Sequence, residues 1–155
     1  MKLFLRGSLG GLTTWFGVQR DARFKAAVLL DPYLPDIPVG STETPVMLLT
    51  MGSEQRNEDQ CQLWSDLLGP RLAVNLRGAE HVTPSDLVWL AEGAVKTGPM
   101  GPEKTIAAVR DYIAAFLDTN VRGRPLDFLT GPSSTFPDAQ VTTQKQSLCG
   151  EAAAH

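Results

Sequence analysis

The chain is poor in the residues that carry most metal and redox chemistry. It holds two histidines, two cysteines and 7% aromatics in 155 residues. Cys61 and Cys149 are too few for a disulfide scaffold and lack metal-ligand spacing, so no metal site is expected. A single bond between them and a pair of free thiols both remain open. No apolar run approaches the roughly 18–20 residues that a membrane span needs. Basic residues do not dominate either: 14 Lys and Arg stand against 17 Asp and Glu, a net charge of −3. That balance leaves no electrostatic footprint for nucleic acid. Residues Met1 to Leu5 make too short a run for a secretory leader, and no small-residue cleavage site follows. Internal repeats are absent. What is present, 43% hydrophobic and 20% charged residues, is the composition of a globular chain able to form one domain with a core.

Apolar runs and amphipathic stretches alternate along the sequence. Leu3-Phe4-Leu5 is a short strand, and Gly10 to Gln19 is a helix with Leu12, Trp15 and Phe16 on one face. The glycines at its start permit close packing of helix on strand. Phe24 to Leu30 is nearly all apolar, as a parallel strand buried on both faces should be, and Asp31-Pro32 ends it. Val46 to Thr50 and Arg71 to Leu76 read as two more strands, with an amphipathic helix over Glu58 to Leu68 between them. Ser85 to Val95 is a short helix or two turns. Pro102 to Leu117 is the clearest helix: Pro102 near its first position, Glu103 in the first turn, and Ile106, Val109, Tyr112, Ile113 and Phe116 as its buried stripe. Trp15, Trp64 and Trp89 are expected in the core, whereas Glu103 and Arg110 look like solvated helix charges. Beyond residue 119 the periodicity dissolves. The expected organisation is an α/β domain over 1–119 and a loop-like or partly disordered tail over 120–155.

In a parallel α/β sheet, functional groups collect at the carboxyl ends of strands. Ser8, Asp31 and His81 all fall at such ends, in the order Ser, Asp, His. Leu5-Arg6-Gly7-Ser8-Leu9-Gly10-Gly11 is a strand, a serine and a helix in succession, which sets a serine hydroxyl on a tight turn beside a helix N-terminus. The hydroxyl is a weak nucleophile until a base removes its proton. Imidazole does this near neutral pH, and a carboxylate fixes its tautomer. Only one other histidine exists, at the end of the tail, so His81 is close to a forced choice. Each residue alone has a plainer reading: Asp31-Pro32 as a strand-ending turn, His81 as a loop histidine. Glu54, after the next strand, is a rival acid. Tyr33 and Leu34 either line an acyl pocket or anchor the loop, and Asp86 either starts a helix or orients the His81 loop.

Three blocks together carry a resemblance: Ser8-Leu9-Gly10-Gly11, Arg23 to Pro32, and Gly78-Ala79-Glu80-His81. They resemble the catalytic blocks of platelet-activating-factor acetylhydrolase-like esterases, which stand with dienelactone hydrolases and polyester hydrolases in the α/β-hydrolase superfamily. The resemblance spans roughly residues 7–118 and favours Asp31 over Glu54 as the triad acid. It further implies a serine carboxylic-ester hydrolase, esterase- or lipase-like, that cleaves short or oxidised acyl esters through an acyl-enzyme. Ser8 would be the nucleophile, His81 the base and the Leu9 N–H an oxyanion donor, with no cofactor and no metal. The sequence departs from the family's Gly-x-Ser-x-Gly, since Arg6 stands two before Ser8 and Gly7 is displaced by one. The family's first strands, with the second oxyanion donor, would precede residue 1. The expected fold is therefore an incomplete α/β-hydrolase sheet, from the nucleophile strand onward, with an exposed edge open to self-association. A second function class follows from that incompleteness: an inactive hydrolase fragment or an interaction module.

Overall fold

The computed structural model describes residues 2–34, 40–52, 58–91 and 93–149, with backbone alone at 2–8 and 128. Strand β1 (Lys2–Ser8) leads directly into helix α1 (Leu9–Arg20), followed by β2 (Phe24–Pro32) and β3 (Val46–Met51). Helix α2 (Glu58–Asp66), β4 (Arg71–Leu76), the short α3 (Leu87–Leu90), the long α4 (Pro102–Arg122) and β5 (Ala139–Thr143) complete the order. The strands lie in one sheet in the order β1-β2-β3-β4-β5. The first four run parallel, and β5 joins β4 antiparallel. The chain thus has an α/β fold with a mostly parallel sheet.

The central strands are apolar on both sides because both sides are covered. Side chains alternate along a strand, and the pairing register aligns that alternation: Val28 with Met47, Leu49 with Val74. Ala26, Val28, Met47, Leu49, Leu72, Val74 and Leu76 face α4. Ala27, Leu29, Val46, Leu48 and Ala73 face α1 and α2, meeting Trp15, Val18, Leu63 and Trp64. Each fully buried Leu or Val on these faces contributes on the order of 1.5–3 kcal/mol.

The helices are rotated from the faces read off the sequence. In α4 the buried positions are Thr105, Ala108, Tyr112, Ala115 and Phe116, while Ile106, Val109 and Ile113 are half-buried at the flank. Small side chains sit against the sheet and let the helix approach, so Tyr112 and Phe116 fill the space between. The helix also runs past residue 117 to Arg122, where Gly123 (φ 67°) ends it in the left-handed conformation that glycine adopts without strain. In α1 the buried residues are Gly11, Thr14, Trp15 and Val18, with Leu12 and Phe16 half-buried. Gly11 has a strict cause: a Cβ there would lie 2.4 Å from the Cβ of Pro32. Of the tryptophans expected in the core, Trp15 and Trp64 are buried but Trp89 is exposed, since α3 is a single turn that buries only Val88.

Over the described residues 120–149, the expectation of a loose tail is corrected. After α4 the chain forms a 3₁₀ turn (Asp127–Leu129), and Leu129 and Phe136 enter the α4-side core. Strand β5 then pairs along the whole of Leu72 to Leu76. Leu148 packs on the opposite, α1/α2-side core, and Cys149 is disulfide-bonded to Cys61 of α2, with their Cα atoms 5.9 Å apart. Few apolar anchors suffice because each one inserts into an existing core and because β4 supplies a free row of backbone partners.

Candidate active site

Parallel pairing brings the carboxyl ends of β1 to β4 to one edge of the sheet, where Ser8 ends β1, Asp31 stands next to last in β2, and His81 lies in the loop leaving β4. The ladder between β1 and β2 is regular from Phe4 opposite Ala27 to Gly7 opposite Leu30, then jumps so that Ser8 is opposite Pro32. Asp31 is the residue left over. Such a bulge re-aims a side chain, and Asp31 also has φ 40°, the one positive φ at a non-glycine residue among the described residues. Aspartate tolerates this region better than most residues, yet the conformation carries strain of the kind found at functional sites.

The displaced carboxylate takes two partners. Val46 N–H and Gly52 N–H donate to Pro70 and Leu76 on the β4 side, so by alternation the Met51 N–H points toward β2. There it donates to Asp31 Oδ1 at 3.1 Å. The side chain thus replaces a backbone carbonyl in the ladder and is fixed by β3. Its other oxygen, Oδ2, lies 2.5 Å from His81 Nδ1. An ionised carboxylate only accepts, so Nδ1 carries the proton and Nε2 is left as the basic nitrogen. The Asp31 side chain is 20% exposed and that of His81 52%, an imidazole oriented from below and open above.

The loop that holds His81 is built from its backbone outward. Gly78 takes φ 78°, Ala79 is buried and donates to the Leu76 carbonyl, and the Gly78 carbonyl accepts Met100 N–H at 2.9 Å. A Cβ on Gly98 would stand 2.3 Å from that same carbonyl oxygen, so the 97–100 segment can lie against the loop only as glycine. Thr83, fully buried, closes the turn around His81. Its N–H donates to the Glu80 carbonyl, and its hydroxyl accepts the Glu80 N–H and donates to the Thr97 carbonyl, all at 2.9 Å. Sequence reading passed over Thr83; the threonine three places after Glu80 is the spacing of a side-chain-to-backbone turn and was the available signal.

The remaining candidates divide clearly. Leu9 is the first residue of α1, so its N–H is one of those that have no acceptor within the helix, next to Ser8. The side chains of Ser8 and Arg6, and all of Glu54, lie outside the described residues. Leu34 is buried in the α1/α2-side core and is the loop anchor, while Tyr33 beside it is exposed. Asp86 precedes α3 without a side-chain cap bond; its carbonyl accepts the N–H groups of Trp89 and Leu90. Among the described residues no group of three or more His, Cys, Asp or Glu could hold a metal ion, and no helix is long and apolar enough to cross a membrane.

Compared with known proteins, the chain is similar in structure to a ferulic acid esterase from Streptomyces cinnamoneus, with a TM-score of 0.75 and 28% sequence identity. The match covers 88% of this chain and 44% of that one, so the chain spans less than half the length of the esterase it resembles. No protein-family model and no curated protein sequence matches it. The fold is α/β-hydrolase-like, corresponding to part of such a domain.

Proposed function

We propose that the chain carries the catalytic residues of a serine carboxylic-ester hydrolase working through an acyl-enzyme. Ser8 attacks the ester carbonyl, His81 Nε2 takes the hydroxyl proton and returns it to the leaving alcohol, and Asp31 holds the imidazole and stabilises its charged form. The Leu9 N–H, at the head of α1, is one donor to the developing oxyanion. Water then repeats the sequence to release the acid. The observation that carries this reading is the 2.5 Å contact between Asp31 and His81, made from the end of one strand to the loop after another, with Ser8 ending the strand that pairs beside Asp31. Similarity to an esterase supports it from outside the chain. Within that class we favour the platelet-activating-factor acetylhydrolase-like branch, with short or oxidised acyl esters as substrates. The named substrate of the similar enzyme makes a feruloyl ester the natural competitor to test.

A second reading has one observation in its favour: the chain spans only 44% of the esterase it matches. In that reading it is a hydrolase-derived interaction module that retains its site residues without turnover. Hydrolysis of short-chain nitrophenyl and feruloyl esters by purified protein separates the two. Esterase function requires activity that Ser8→Ala and His81→Ala each abolish, with the double variant no worse than either single one. Folded protein without activity, or activity that survives Ser8→Ala, contradicts it.

A further inference from the structure

The His81 loop holds its histidine by backbone contacts, and those contacts converge on one side chain. Thr83 has no exposed surface, although threonine in a loop is normally at least partly solvated. Its hydroxyl is satisfied in both senses, accepting from the Glu80 N–H and donating to the Thr97 carbonyl, at 2.9 Å each. The first bond closes the turn on the residue immediately before His81. The second ties that turn to the segment running from Thr97 to Met100. This segment is fixed in its own right, since Met100 N–H donates to the Gly78 carbonyl and Gly98 leaves no room for a side chain against it. From there the chain enters α4, whose buried face lies on the sheet core.

We propose that Thr83 is a positioning residue for His81: its hydroxyl locks the turn from Glu80 to Thr83 onto the 97–100 segment and so sets the imidazole against Asp31. The alignment matters because the His81 side chain is half exposed and, among the described residues, Asp31 is its one side-chain hydrogen-bond partner. A base displaced by about 1 Å loses rate on the order of 10²-fold. In its link to turnover the proposal rests on the esterase reading; in its link to the Asp31–His81 contact it does not.

The test follows both links. Thr83→Val keeps the shape and removes the hydroxyl, and Thr83→Ser restores it. Expected is a fall in kcat of roughly tenfold to a hundredfold for Thr83→Val with little change in KM, and near-complete recovery in Thr83→Ser. Proton NMR supplies the readout that needs no substrate: the downfield Nδ1–H resonance of His81 should be present in the unaltered protein and in Thr83→Ser, and broadened or lost in Thr83→Val. Should Thr83→Val fail to fold, hydrogen exchange on the unaltered protein still decides, because the Glu80 amide must be protected. A folded Thr83→Val with unaltered kcat and Nδ1–H resonance overturns the proposal, as does a Glu80 amide that exchanges at the rate of an open loop. If the unaltered protein hydrolyses no ester, the esterase reading fails while the NMR comparison still judges Thr83.

Discussion

Replacing Asp31 in two ways should separate its chemical role from its structural one. The carboxylate does two things at once: Oδ1 accepts the Met51 N–H at 3.1 Å, and Oδ2 holds His81 Nδ1 at 2.5 Å. Asparagine can keep the first. Its amide oxygen accepts from Met51, and it tolerates the φ of 40° about as well as aspartate. It cannot hold the imidazole in the same tautomer or stabilise its positive charge. Asp31→Asn should therefore leave the melting temperature within a few degrees while lowering kcat by roughly 10⁴-fold, the scale seen when the acid of a serine triad is neutralised. Alanine loses both contacts. It orphans a part-buried backbone donor, at about 1–3 kcal/mol, and puts a side chain in the left-handed region with no local hydrogen bond, at about 1–2 kcal/mol. A total of about 2–5 kcal/mol corresponds to roughly 4–20 °C in a chain of this size. Calorimetry and nitrophenyl-ester turnover on both variants give the comparison. Asp31→Asn retaining more than about a tenth of the activity would refute the role given to the carboxylate. Asp31→Ala melting with the parent protein would refute its place in the ladder.

Other consequences concern the tail and the core. The Cys61–Cys149 bond closes a loop with a sequence separation of 88, for which the chain-entropy relation gives about 4–5 kcal/mol. Cys149→Ser should lower the melting temperature by roughly 10–20 °C, and thiol titration of unfolded, unreduced protein should find no free thiol. Burial pushes the Tyr112 phenol above its ordinary value of 10.0. A raised folded-state value means that its contribution is complete below the unfolded value and is lost as pH climbs through the folded one. Urea midpoints should accordingly fall above pH 10, and Tyr112→Phe should remove part of that fall.

Much of the fold was legible because buried parallel strands announce themselves. Phe24 to Leu30 and Val46 to Thr50 have no polar face to place toward solvent, so they had to be covered on both sides. The helix faces were less legible. Large apolar residues such as Ile106 and Val109 dominate a periodicity reading, yet close approach to the sheet favours Ala108 and Ala115. Strand β5 was hidden for a different reason. Ala139-Gln140-Val141-Thr142-Thr143 sits among prolines and serines and has little pattern of its own; only the open side of β4, a tertiary fact, makes it a strand. Around the candidate site, Asp31 and His81 were visible as chemical types at strand ends. Invisible were the bulge that turns Asp31 out of the β1 ladder and the Met51 amide that fixes it. Both depend on backbone geometry brought together from distant segments, which residue types along a single chain do not encode locally; the Glu80–Thr83 turn is local, and only its tie to Thr97 is not.

The central claim is that Ser8 is a nucleophile activated through His81. Its most direct test is covalent trapping with a fluorophosphonate, read by intact mass and peptide mapping on the folded protein. The account predicts a single adduct on the peptide carrying Ser8, absent in Ser8→Ala and strongly slowed in His81→Ala. A folded protein that takes up no label, or takes it up equally well at another residue, would contradict the account.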